Sequence, residues 1–386
     1  MIRDNDIIKA LNECPTIYHA ISIFKDKLLE SDYTELQDDL EWSSVPSKFF
    51  IIYKNKNIIA FNNKENLKGM FFIGNMKKNL FHIEKNSQVP TLDYNFCRIK
   101  APCLNYNYWS GRTMRVAGHI NIQENTTKNI IEQNVYPKTP AAIFPSNQEI
   151  NFNCNSPDSN DLIDLFLGLS RDSYPFINDF PGPIIKIISD ELGISPYSIR
   201  NSDLFLVDSN DSILIGNSNK IENRIISGHN ISQLCPSILA FNSFLNSEQH
   251  RNGKEKRFSS FILYDENDPT NPFINDFLPN LFQKVGIIND CLTFNIIPMK
   301  NDKTENKIFF DSSNKNIENI LINKFKTQSC KIHINLDQNL NQIIDSISHE
   351  VIKLGFSVSN FESTRERVSL NCLKTLEEAI NNIIIK

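Results

Sequence analysis

The chain has 386 residues, enough for two domains with substantial cores. A formal net charge of −5 and a pI near 5.9 leave no electrostatic footprint for nucleic acid. No apolar run approaches the roughly 20 residues that a membrane-spanning helix needs.

The first residues, MIRDNDIIKALNE, carry acids and lack a signal-peptide core, so a cytoplasmic protein is expected. The cysteines (Cys14, Cys97, Cys103, Cys154, Cys235, Cys291, Cys330 and Cys372) are scattered without a CxxC pair. That usage predicts reduced, mostly buried thiols rather than a disulfide frame or a zinc ribbon. Lys254, Lys256 and Arg257, interrupted by Glu255, predict a solvated loop.

In chain order, residues 5–11 predict a short helix capped by Asn5 or Asp6. Thr16 is a plausible N-cap for an amphipathic helix with Ile21, Phe24, Leu28 and Leu29 on one face. Phe49–Tyr53 and Ile58–Phe61 flank Lys54-Asn55-Lys56-Asn57 and predict a hairpin. Met70–Gly74 is a candidate core strand. Pro90, Pro102, Pro137, Pro140 and Pro145 punctuate short alternating runs across 85–150, which suits β structure with loops. Ser189-Asp190-Glu191-Leu192 predicts a helix end stopped by Gly193, followed by a Ser195-Pro196 turn and the strand Asp203–Asp208. Phe261-Ile262-Leu263-Tyr264 has the length and make-up of a buried strand, running into Asp265-Glu266-Asn267-Asp268 and then Pro269. Carboxylates at the end of a central strand suggest a metal or acid–base site.

Several of these segments resemble the M18 metallopeptidases, the aspartyl aminopeptidases. Cys14-Pro15-Thr16-Ile17-Tyr18-His19 is similar to that family's Ser-Pro-Thr-Pro-Tyr-His, and Thr34-Glu35-Leu36 and the hairpin follow in the family's order. The passage from Ser189 to Asp208 repeats its helix–Gly–turn–strand wording. Ile226-Ser227-Gly228-His229-Asn230-Ile231-Ser232-Gln233-Leu234 resembles its Ser-x-Arg-Leu-Asp-Asn-Leu segment. Tyr108–Ile120 resembles its Trp-Phe-Asp-Arg-Asp-Leu…Ala-Gly-Arg-Val.

The resemblance implies an α/β protein: a three-layer α/β/α zinc-peptidase-type domain from 1–84 plus 219–386, with an inserted β-rich dimerisation domain at 85–218. It also implies a set of zinc-binding and catalytic positions, and this sequence departs from most of them. Met76 stands where the first histidine ligand is expected, with Lys77 and Lys78 beside it. Ser232 stands for the bridging aspartate and Arg367 for the last histidine. The two consecutive glutamates, general base then ligand, fall at Asn267 and Asp268; an amide cannot take a proton near neutral pH. A one-residue shift would make Glu266 the base, although Tyr264-Asp265 fits the family's Phe-Asp. No histidine follows the Leu292–Ile297 strand, where Asp302 fits only with a gap, and Phe144 replaces the substrate-carbonyl histidine. Asp268 is the one plausible remaining ligand.

His229 reads as a surface or capping group, and His19 as structural. His82, His119, His250, His333 and His349 show no HxH or HxxxH spacing. The expectation is a divergent M18 homologue without a zinc cofactor: a pseudoenzyme that serves as an assembly or binding scaffold, as a homo-oligomer or co-assembled with another protein. The alternative is an active zinc aminopeptidase releasing N-terminal Asp or Glu. A third reading is an unrelated α/β binding protein that lacks the inserted domain.

Overall fold

The computed structural model describes residues 4–62, 69–76, 81–90, 94–100, 109, 111–123, 130–143, 162–169, 176–216, 224–249, 258–265, 272–286, 291–300, 308–312, 328–329, 348–359 and 365–384. The chain divides into two compact units. Met1–Lys77, Ser212–Phe361 and Arg365–Lys386 form one, and Lys78–Asp211 is the body of the other.

The first unit opens with helices α1 (Asp4–Glu13) and α2 (Ile17–Glu30). Helix α1 starts earlier than its polar residues suggest, so Asn5 and Asp6 lie inside its first turn, where acids favour the helix dipole. Thr16 takes the extended N-cap conformation before α2, as expected. Its hydroxyl, however, pairs with His19 Nδ1 at 2.8 Å rather than with a backbone N–H. Ile21, Phe24 and Leu28 are buried, while Leu29 is 46% exposed and falls outside the apolar face.

Strand β1 (Thr34–Leu36) pairs in parallel with β2 (Lys48–Tyr53). Strands β2 and β3 (Asn57–Asn62) form the expected hairpin. Lys54 and Asn55 both adopt left-handed φ values, 48° and 56°, and the Lys56 N–H donates to the Tyr53 carbonyl at 3.1 Å. Strand β4 (Gly69–Met76) passes through Gly74 and ends two residues later.

The second unit comprises β5 (Phe81–Pro90), β6 (Tyr94–Lys100), β7 (Thr113–Gln123), β8 (Ile130–Val135), β9 (Ala142–Ile143), β10 (Leu162–Leu169), β11 (Phe176–Ile177), β12 (Phe180–Pro181), helix α3 (Gly182–Leu192) and β13 (Ile199–Asp208). Its main sheet runs β13-β5-β6-β10-β9-β7-β8, and β13 also pairs with β7, which closes six strands into a ring with β8 outside. Closure leaves few free edges. Trp109, Phe180, Ile184 and Ile188 are buried in its core with Phe81 and Leu204. Gly193 ends α3 in the left-handed region (φ 65°), and a 3₁₀ turn, Pro196–Ser198, leads into β13.

The chain returns to the first unit through β14 (Ile213–Ile215), β15 (Ile225–Gly228), helix α4 (Ile231–Gln249), β16 (Phe258–Asp265), helix α5 (Leu278–Val285), β17 (Cys291–Lys300), β18 (Ile308–Ser312), β19 (Gln328–Ser329), β20 (Ser348–Val358), β21 (Glu366–Ser369) and helix α6 (Leu370–Ile384). Among the described residues the central sheet has the order β1-β2-β3-β16-β4-β17-β20-β18-β19, with β16, β4, β17 and β20 parallel. Strand β17 outlasts the expected Leu292–Ile297 and includes Pro298. Its pairing with β4 stops at Asn295, so proline's missing N–H falls where β20 is the recorded neighbour.

Strand alternation sorts the two faces of this sheet. Phe72, Phe261 and Phe294 face α4: Phe72 stacks on Phe294 at 5.1 Å, and Phe241 meets Phe261 at 5.1 Å. Phe24 of α2 stacks on Phe241 at 4.4 Å. Phe71, Ile73, Ile262 and Tyr264 face the other way, onto a π-helical turn, Phe273–Phe277, and α5. Helices on both faces of a largely parallel sheet give the three-layer α/β/α architecture.

Candidate functional site

The carboxyl ends of β4 and β16 meet at a paired position, Met76 beside Asp265. Met76 is 4% exposed, so its thioether is packing material at the end of the strand. Asp265 is also buried, and its backbone N–H donates to Asn57 Oδ1 at 3.0 Å. Asp268, Asn267, Glu266, Lys77, Lys78, Phe144 and Asp302 lie outside the described residues, as do the Lys254–Arg257 loop, His250 and His333.

Helix α4 comes down on this edge of the sheet. A β-carbon on Gly74 would stand 2.8 Å from Ser237 Oγ and 3.0 Å from Ser237 Cα, so glycine is what admits the helix so close to β4. The chain enters α4 through His229 and Asn230. Asn230 adopts φ 55°, and its carbonyl accepts from the N–H groups of Gln233 (3.2 Å) and Leu234 (2.9 Å). Asparagine tolerates that conformation better than most residues. His229 is 4% exposed, so it is a buried ring and not the surface group its Gly-adjacent position suggested.

Ser232, in the first turn of α4, has a partner that sequence reasoning did not foresee. Its N–H donates to Glu366 Oε2 and its hydroxyl to Glu366 Oε1, both at 2.7 Å. Glu366 is 2% exposed and Ser232 is 3% exposed. A carboxylate accepting from the first turn of a helix satisfies an orphan N–H and opposes the positive end of the dipole. The proline at 236 has no N–H, so the Ser232 carbonyl also lacks its donor one turn on. Cys235, in the next turn, is fully buried; burial and then the nearby Glu366 charge push its thiol well above the ordinary range.

Glu366 reaches this place because β21 runs antiparallel to β15, with Glu366 opposite Gly228 and Arg367 opposite Ser227. Alternation turns Glu366 and Val368 inward and leaves Arg367 exposed. Arg367 instead anchors the strand through its main chain, exchanging two 3.0 Å hydrogen bonds with Ser359. The position expected for the last ligand therefore faces solvent, and its neighbour faces the first turn of α4. The period-two pattern Glu366-x-Val368 was the signal available.

His82 and His119 serve local structure. His82 Nε2 lies 3.0 Å from the Asp203 carboxylate between two strands of the ring, and His119 Nδ1 lies 3.0 Å from Asn134 Oδ1 on the flanking β8. Cys14, Cys235, Cys291 and Cys372 are buried free thiols. Among the described residues, no group of three or more His, Cys, Asp or Glu side chains is arranged to hold a metal ion.

The family model for aminopeptidase I zinc metalloproteases (M18) matches residues 10–268. This chain belongs to the M18 family. The M18 chain is 26% identical over 252 residues to "Probable M18 family aminopeptidase 2" of Clostridium novyi (strain NT), covering 60% of this chain and 54% of the relative. It is 21% identical over 291 residues to the aspartyl aminopeptidase of Caenorhabditis elegans, covering 68% of this chain and 60% of the relative. The chain thus spans little more than half the length of the curated relatives it matches.

Among solved structures, Chaetomium thermophilum mApe1 superposes with a TM-score of 0.78 at 15% identity, over 99% of this chain and 97% of that one. Yeast mApe1, solved as a dodecamer, gives 0.76 at 15% identity, over 98% and 95%. At such identities the match concerns the fold. It agrees with the expected α/β architecture, and the family-model match over residues 10–268 sets aside the reading of an unrelated α/β protein.

Proposed function

We propose that this M18 member is catalytically degenerate and serves as an assembly or binding scaffold without a zinc cofactor. The observation that carries the reading is the Ser232–Glu366 pair. At the position expected for the metal-bridging aspartate, the side chain is a hydroxyl, and it is already committed as a donor to a buried carboxylate. Met76 is a buried thioether and Arg367 an exposed guanidinium, neither of them a donor that grips zinc. Asn267 and Phe144 extend the same substitutions along the sequence, with Asp268 the remaining plausible ligand. The residues described do not make a zinc donor set, so no catalytic step is assigned to a metal.

A homo-oligomer, or co-assembly with another protein, fits this reading, since one structural neighbour is a dodecamer. The inserted segment, 85–218 in the sequence reading, is the proposed dimerisation element; the compact unit Lys78–Asp211, whose bounds differ from it, supports a separate body in this part of the chain. No described helix is long and apolar enough to cross a membrane. A cytoplasmic location is part of the proposal, in keeping with the buried free thiols.

Purified protein assayed for zinc content and for hydrolysis of Asp- and Glu-anilides tests the proposal. Folded, inactive protein with far less than one zinc per chain is expected. Stoichiometric zinc with turnover would instead establish an aminopeptidase that releases N-terminal Asp or Glu.

A further inference from the structure

We infer that Ser232 and Glu366 form a protein-only fastening between α4 and β21, one that makes the first unit independent of divalent metal and incompatible with an aspartate returned at 232. The inference rests on the degenerate-site reading and goes beyond it, because it says what now joins α4 to β21.

The two residues are 134 positions apart and join separate elements through two hydrogen bonds of 2.7 Å, both buried. Charge-assisted bonds of this kind are among the stronger ones a protein makes. Both carboxylate oxygens are engaged, one by the Ser232 N–H and one by its hydroxyl. The substitution Ser232→Asp would bring a second anion against Glu366 in a site that water does not reach, where like charges are costly. Serine donates where aspartate can only accept.

The test is thermal unfolding of the full chain and of the variants S232A, S232D, E366A and E366Q, each with EDTA and with added zinc. The wild type is expected to melt at the same temperature in both. E366A should lower Tm by roughly 5 °C or more, since it strands two buried donors. E366Q should recover most of that loss, because an amide can accept from the N–H and donate to the hydroxyl. S232D should melt below S232A, with or without zinc. Adding S232A to E366A should cost little beyond E366A alone, because the two act as one unit.

Should E366A fail to fold, S232D against S232A still decides the matter. S232D melting at or above S232A, or regaining stability on addition of zinc, would overturn the inference. So would S232A and E366A effects that simply add. Zinc-dependent turnover by the wild type would refute the functional reading by a separate readout and would leave these melting comparisons to judge the fastening.

Discussion

Ser237 on α4 stands against Gly74 on β4 so closely that a β-carbon at position 74 would lie 2.8 Å from its hydroxyl oxygen and 3.0 Å from its α-carbon. The hydroxyl can rotate, but the α-carbon belongs to a buried helix and cannot. Gly74→Ala should therefore destabilise by about 1–3 kcal/mol through overpacking, read as a lower urea midpoint with an unchanged m value. A G74A variant as stable as the wild type would mean that α4 is free to move off the sheet.

Gly118 has the same role in the second unit, in a harder form. A β-carbon there would meet the Asp203 carbonyl oxygen of β13, the strand that β7 needs to close the ring. Gly118→Ala should break the β7–β13 ladder locally. Hydrogen exchange would then rise at Ala117–Ile120 and Ser202–Phe205, while α4 and the central sheet keep their protection.

Asp208, 1% exposed, accepts from Arg112 Nη1 at 2.6 Å and from Asn210, through its N–H at 2.9 Å and its side-chain amide at 2.7 Å. Asp208→Ala should cost more than Arg112→Ala. The first removes the buried acceptor that holds all three donors, whereas loss of the partly exposed guanidinium leaves Asp208 with the Asn210 bonds. About 1–3 kcal/mol is expected for the arginine variant, by denaturant titration.

The buried thiols set an alkaline limit. Burial raises Cys14 from 9.0 to about 12, and Cys372 likewise to about 12. The folded state keeps these protons after the unfolded chain has begun to release them. Their contribution is therefore fully present below pH 9 and is lost as pH rises toward 12. Stability measured across that window should decline, and a thiol reagent at pH 8 should label these cysteines only after unfolding. Rapid labelling of the native protein would contradict their burial.

What could be read from the sequence was governed by range. The turn at Lys54-Asn55, the extended Thr16 ahead of α2 and the Gly193 stop are set by residues close in sequence and were legible, although the Thr16 hydroxyl bonds His19 and not the helix backbone. The core strand through Phe261–Tyr264 was legible from its apolar run and the polar residues after it. The Ser232–Glu366 contact was not, because it depends on β21 pairing with β15 and on which alternate residue turns inward. Matching positions by motif placed attention on Arg367, one residue away, and a one-residue shift on a strand exchanges inside for outside. His229 was misjudged for a related reason: proximity to glycine suggests a surface turn, yet this turn lies under α4 and is covered.

Anomalous diffraction at the zinc edge, from crystals of the full chain grown with excess zinc, would show whether this chain binds a pair of zinc ions. No pair of peaks is expected at the carboxyl ends of β4 and β16, where Met76 stands beside Asp265, or at the Ser232–Glu366 contact. Two strong peaks a few ångströms apart at either place, ligated by this chain, would contradict the degenerate-site reading.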